Sequence, residues 1–168
     1  EGPMLSRDFR DILSEFSVAG VEYLLVGAHA LAAHGLVRGT SDIDLWVRPT
    51  PDNAARVHGA LLAFGAPAEQ FSVEDFTKPD SVVQIGVPPL RIDILTTLSG
   101  VEFSEAWSAR LTVVLDGIHV PVMSRAHLVA NKRAAKRPKD QLDLRWLEEG
   151  GAPRTESEVP GEPWLKTH

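Results

Sequence analysis

The stretch "VGAHALAAHGLVRGTSDIDLW", residues 26 to 46, runs from the end of an apolar segment through small residues, an arginine and two hydroxyls into two aspartates one residue apart. Asp42 and Asp44 alternate with Ile43 and Leu45, the period of a strand with one buried face. Both carboxylates therefore emerge on the same side while the aliphatic side chains enter the core. Two adjacent negative charges repel, so either the pair lies on an exposed strand face or something cationic sits between them. A divalent metal such as magnesium suits the second case, because it prefers oxygen ligands in an octahedron and adjacent acids with phosphate oxygens supply them. In a chain with 23 acidic residues a lone Asp-x-Asp also arises by chance, so the pair needs context.

The context is "RIDIL", residues 91 to 95, which sets Asp93 between Ile92 and Ile94 in the same apolar-acid-apolar pattern. If the two strands are neighbours, three carboxylates converge on one sheet face. Three uncompensated acids resist joint ionisation, and a pair of metal ions would neutralise them.

Around these motifs the chain alternates helix and strand patterns. Ser6 can cap a helix carrying Phe9, Ile12, Leu13 and Phe16 that stops at Gly20. A strand is expected at Tyr23–Val26, a small-residue helix near 28–34, a loop at 38–41 and a strand at Asp42–Val47. Thr50 and Pro51 open a helix that ends before Gly65, with Val57, Leu61, Leu62 and Phe64 available for packing. Residues 66–80 show no clean period. "SVVQIGVPPLRIDIL" reads as two strands about a Gly/Pro turn, and "LTVVLDGIHVPV" as a hairpin turning at Asp116-Gly117. Ser124 starts a helical region that is interrupted at Pro138 and runs to about Leu147. The expected architecture is α/β or α+β: a short mixed sheet carrying the three acids on one face, with helices packed behind it. One domain over residues 1–150 and a Pro-rich extension over 151–168 divide the chain.

Composition narrows the classes. At 168 residues the chain fits one domain with a real core. It has no cysteine, which removes disulfides, thiolate nucleophiles and zinc-thiolate sites and suits a reducing compartment. A net charge of −6 argues against wholesale wrapping of nucleic acid. The longest apolar runs are too short for a bilayer and residues 1–5 lack the pattern of a signal peptide, so the expectation is a soluble cytoplasmic protein with no membrane partner.

Val26-Gly27-Ala28, then thirteen residues, then Asp42-Ile43-Asp44-Leu45, then Ile92-Asp93-Ile94, resembles the signature of the DNA polymerase beta-like nucleotidyltransferase superfamily. "GAHALAAHGLVRGTSDIDL" is most similar to its small bacterial branch, which holds lincosamide-type antibiotic nucleotidyltransferases and abortive-infection toxins. "NKRAAKRPKDQLDLRWL", residues 131 to 147, resembles a Lys-rich helix and Lys-Asp-x-x-Asp-Leu segment of that branch. The likeness spans about residues 21 to 148. It departs at Ala28, where a serine hydroxyl contact to phosphate is lost and only the backbone N–H remains.

The resemblance implies a nucleotidyltransferase fold and transfer of a nucleoside monophosphate from a nucleoside triphosphate, ATP among them, to a hydroxyl acceptor, with release of pyrophosphate. It implies Mg2+ as cofactor, two ions with Mn2+ as a substitute. Asp42 and Asp44 would bridge both ions, and Asp93 would complete the ion on the acceptor and take or orient its hydroxyl proton. Gly27 and Ala28 would bring the backbone close to the triphosphate, with Arg38, Thr40 and Ser41 as further phosphate contacts. Lys132, in a run of five cations over eight residues, would bind phosphate, although a solvated basic face is the ordinary meaning of such a run. Asp140 and Asp143 read as structural, pairing with nearby Lys and Arg or capping the last helix, rather than as metal ligands. His29 and His34 are five apart, the wrong helical spacing for a shared zinc, and only His29, beside Ala28, invites attention.

Other classes fit less well. Metal-dependent glycosyltransferases carry Asp-x-Asp in longer nucleotide-sugar domains, haloacid dehalogenase-like phosphatases continue the motif differently from Leu45-Trp46, and neither a Gly-Lys-Ser/Thr loop nor Gly-x-Gly-x-x-Gly is present. The serious rival is a catalytically quiet nucleotide-binding or toxin-antitoxin interaction protein on the same scaffold. The acceptor, whether a small molecule, a tRNA end or a protein side chain, has no readable code. A homodimer is expected, through the hairpin at 111–122 or the tail with Trp164, because so short a chain leaves little surface to enclose an acceptor.

Overall fold

A computed structural model describes residues 6–37, 42–87 and 90–150. Helix α1 (Arg7–Ala19) begins where the Ser6 side chain accepts from the Phe9 N–H and ends at Gly20, whose positive φ of 70° turns the chain out of the helix. Strand β1 (Tyr23–Val26), helix α2 (Gly27–Ala33) and strand β2 (Asp42–Val47) follow. Helix α3 (Pro51–Phe64) is capped by Thr50, carries Pro51 in its first turn and closes at Gly65. Strands β3 (Val82–Ile85) and β4 (Arg91–Leu95), helix α4 (Phe103–Ser108), the hairpin β5 (Leu111–Leu115) and β6 (Ile118–Val122), and helices α5 (Arg125–Ala135) and α6 (Pro138–Glu148) complete the described chain. At the hairpin turn Asp116 and Gly117 both take positive φ, the conformation that Asp-Gly favours between two antiparallel strands.

The six strands form one mixed sheet in the order β3-β4-β2-β1-β6-β5. The pairs β2/β4 and β1/β6 are parallel, and the other three are antiparallel. Register sorts the side chains. Tyr23, Leu25, Ile43, Leu45, Val47, Ile92, Ile94, Val83 and Ile85 share one face by strand pairing, and all are buried. Helices α1 and α3 pack against each other and cover that face, with Phe16 edge-on to Tyr23. Burying Ile12, Leu13 and Phe16 there contributes about 1.5 to 3 kcal/mol apiece. Asn53, 1% exposed, fixes the start of α3: its side chain accepts from the Glu22 N–H at 2.8 Å and donates to the carbonyls of Glu22 and Arg48, each at 2.9 Å. Every polar group of that amide is used, so it locks the helix to the strands rather than costing stability.

The other face is covered only in part. Phe103 of α4 meets Trp46 edge-on at 5.1 Å and stacks on Trp107, which closes the end of the sheet beyond the acids. Helix α4 does not show in the sequence pattern, being six residues long with no side-chain cap. Residues 66–80, without a period, hold two short 3-10 turns at Ala68–Gln70 and Val73–Phe76. Leu62, expected to pack, is 43% exposed. Trp164 and the rest of 151–168 lie outside the described residues.

Candidate active site

The uncovered part of the second face carries the acids. Because β2 and β4 are parallel neighbours, Asp44 stands opposite Asp93, and Asp42 stands opposite Arg91. Alternation keeps all four on one side, with Ile43, Leu45, Ile92 and Ile94 in the core beneath them. The two strands are neighbours, the condition on which the acids converge, and Arg91 stands among them, a residue the sequence pattern does not single out. Its Nε donates to Asp93 Oδ1 at 2.9 Å, while Nη2 donates to Asp93 Oδ2 at 3.2 Å and to Asp42 Oδ2 at 2.9 Å. The i, i+2 rule that aligns Asp42 with Asp44 also aligns Arg91 with Asp93.

One guanidinium cannot neutralise three carboxylates. The Asp44 carboxyl is pushed up to about 6, first by burial and then by the charges of Asp93 and Asp42, and it hydrogen-bonds Asp93; Lys139 draws it down slightly. Gly27 lies against it. With a φ of 70° and an α-carbon whose added Cβ would fall 2.3 Å from Asp44 Oδ2, position 27 has no space for a side chain. The glycine lets β1 turn into α2 directly over the carboxylate.

Such a set of hard oxygen donors with surplus negative charge fits a divalent magnesium or manganese ion. As they stand, with Asp42 and Asp93 turned to Arg91, the described residues contain no group of three or more acids or histidines arranged to hold an ion.

Beside Asp44 and Gly27 an open cavity of about 430 Å³ is lined by Thr97, Ser99, Asn131, Lys132 and Arg137. Helix α5 forms its far wall, so the basic segment does lie beside the acids. Lys132 is 4% exposed, and its Nζ is committed to Asp140 at 2.9 Å and Asp143 at 3.2 Å. Asp140 also accepts from the Arg137 backbone and side chain, capping α6. Burial alone would raise its pKa, but the bonds from Arg137 and Lys132 outweigh that and hold it below the usual carboxylate range. The expectation that Asp140 and Asp143 pair with nearby cations matches this arrangement. A second cavity, about 460 Å³, adjoins the first at Thr97 and Leu98 and is walled by Trp46, Arg48, Glu102 and Phe103.

Of the remaining candidates, Ala28 sits in the first turn of α2. Arg38, Thr40 and Ser41 lie outside the described residues. His29 packs edge-on against Phe9, and burial lowers its pKa against the opposing pull of Asp42. His34 Nε2 bonds the Met123 carbonyl oxygen at 2.8 Å, a tie between α2 and the end of β6.

No protein-family model matches the chain, and no curated protein sequence matches it. In three dimensions it is similar to the lincosamide antibiotic adenylyltransferase LnuA with lincomycin bound, at 16% identity and a TM-score of 0.56 over 86% of this chain and 97% of that one. It is similar to ANT(2″)-Ia in complex with adenylyl-2″-tobramycin, at 14% identity and 0.55 over 86% and 87%. A candidate nucleotidyltransferase from Thermotoga maritima matches at 17% identity and 0.54 over 85% and 92%. The chain has the nucleotidyltransferase fold, in agreement with the resemblance drawn from its motifs. No described helix is long and apolar enough to cross a membrane.

Proposed function

We propose that the chain is a magnesium-dependent nucleotidyltransferase that moves a nucleoside monophosphate from a nucleoside triphosphate to a hydroxyl acceptor. The observation that carries this reading is the opposition of Asp44 and Asp93 on adjacent parallel strands, with the bare α-carbon of Gly27 pressed on Asp44. Asp42, Asp44 and Asp93 would hold the metal, and bound there it supplies a Lewis acid that offsets phosphate charge and favours the ionised acceptor.

The residues of this chain then have separable tasks. Gly27 admits the triphosphate to the floor of the cavity, where its backbone N–H and that of Ala28 are near the phosphates. Asp93 receives the acceptor hydroxyl's proton. The acceptor oxygen forms a bond to the α-phosphorus as the bond from that phosphorus to the bridging oxygen of the β-phosphate breaks, and pyrophosphate leaves. Lys132, with Arg38, Thr40 and Ser41, is assigned to phosphate contact, its ion pairs with Asp140 and Asp143 fixing its place in the cavity wall. ATP is the first donor to test, because adenylyl transfer is what the names of the two antibiotic enzymes state.

Incubation with α-labelled and, separately, γ-labelled ATP and Mg2+ tests the reading against lincosamides, aminoglycosides, bulk tRNA and the protein itself. The α label should move to an acceptor and the γ label to pyrophosphate, and Asp42→Asn should abolish both. Nucleotide binding without transfer to any acceptor would favour the quiet reading, which one observation supports: the acids already hold Arg91. A homodimer belongs to the proposal, since β5 is an edge strand with Leu111 and Val114 exposed. Light scattering that returns a monomer at every concentration would remove it.

A further inference from the structure

We propose that Arg91 is the resident counter-ion of the acid cluster, and that its guanidinium competes with the divalent cation for Asp42 and Asp93. The proposal rests on the reading of the three acids as metal ligands. Its basis is the distribution of donors. Arg91 takes both oxygens of Asp93 and one of Asp42, so two of the three carboxylates already accept from a resident cation. Those are oxygens a small hard cation would claim, and a metal demanding octahedral order competes for them with a guanidinium that already takes both oxygens of Asp93.

The fold makes the exchange feasible. Arg91 opens β4, and its side chain is 28% exposed, so the head can swing to water without disturbing the core side chains Ile92 and Ile94. Lys132 offers a contrast. At 5% side-chain exposure it is enclosed between Asp140 and Asp143, whereas Arg91 has an exit to water.

A purely structural ion pair would do the opposite of competing. If Arg91 served to aim Asp42 and Asp93, its removal would scatter the ligands and weaken metal binding. The two roles therefore predict opposite signs.

The test measures Mn2+ affinity by electron paramagnetic resonance for the full chain, Arg91→Met and Arg91→Lys. Arg91→Met keeps the length and loses the charge, and it should bind Mn2+ about tenfold or more tightly than the parent, with Arg91→Lys between them. Affinity for Arg91→Met equal to or weaker than the parent, while the parent binds, overturns the competition alone. Failure of both proteins to bind millimolar Mn2+ overturns the metal reading and the proposal with it. A second measurement needs no variant to fold well: hydrogen exchange at the Arg91 Nε–H in the 15N-labelled parent. Added Mg2+ should speed that exchange as the guanidinium leaves Asp93. Unchanged exchange at saturating Mg2+ overturns the proposal.

Discussion

Asp44→Asn should make the metal-free protein more stable at neutral pH, and the size of the gain follows from the carboxyl's surroundings. Its pKa stands at about 6 against an ordinary 3.8. At 1.36 kcal/mol for each pH unit, that difference withholds at most about 3 kcal/mol of folding free energy once the group ionises. Water reaches the cavity mouth, so about 2 kcal/mol is the working figure. The folded chain binds the Asp44 proton more tightly than the unfolded chain does, so this group's contribution is fully present below pH 3.8 and is lost as the pH rises through 6. Asparagine has no proton to lose and escapes the loss. In EDTA at pH 7.5 its melting temperature should exceed the parent's by about 4 to 8 °C, and the gap should close toward pH 4. Adding Mg2+ should reverse the order, because a ligand at a hundred times its Kd contributes about 2.7 kcal/mol to the parent. Scanning calorimetry across pH 4 to 8, with and without Mg2+, checks all three. A variant less stable than the parent at pH 7.5 in EDTA, or a gap that does not shrink toward pH 4, would refute the electrostatic account of the site.

Gly27→Ala meets both a positive φ and the Asp44 carboxylate, so it should cost about 1 to 3 kcal/mol in urea unfolding and abolish metal-dependent stabilisation. Lys132→Met leaves Asp140 and Asp143 buried without their shared cation and should cost about 3 to 5 kcal/mol, read by the same method. Asp140, held below the ordinary carboxylate range, contributes stability present above that range and lost as the pH falls; Asp140→Asn should therefore flatten the acid side of the stability profile. Fluorescence titration with an ATP analogue should show weaker binding for Lys132→Ala than for Lys139→Ala, and equal small losses would leave Lys132 a structural partner of Asp140 and Asp143 alone.

The helices with strong caps and stripes were legible because each signal is local. Ser6, Gly20, Thr50, Pro51 and Gly65 act within a turn of where they stand. The acids were legible as a set because alternation alone puts Asp42, Asp44 and Asp93 on polar faces. Which of them oppose each other was not, since that depends on β2 lying beside β4 in parallel register, a pairing across 49 positions that no periodicity encodes. Arg91 lies two residues before Asp93 on the same strand, and alternation places a cation on that face as it does an acid, but a lone arginine at a strand's start carries no motif. That Asp140 and Asp143 pair with nearby cations was legible, but that Lys132 is the cation they share was not. Its partners sit on another helix, beyond a turn in which Lys136 takes a left-handed conformation and Arg137 an extended one, so helical spacing says nothing of them.

The cavity wall formed by α5 bears on the order in which the ribosome delivers this site. Gly27 and all three acids lie within residues 27–93, whereas Asn131, Lys132, Ala135 and Arg137 come some forty residues later in synthesis. The strand β6, which pairs with β1 near the middle of the sheet, is also late. Through that interval a nascent chain carries β1, β2 and β4 without β6, the second neighbour of β1, or the helix that faces the acids. Arg91, two residues before the last acid, is made together with the carboxylates it pairs, so this counter-charge needs no residue of the late wall.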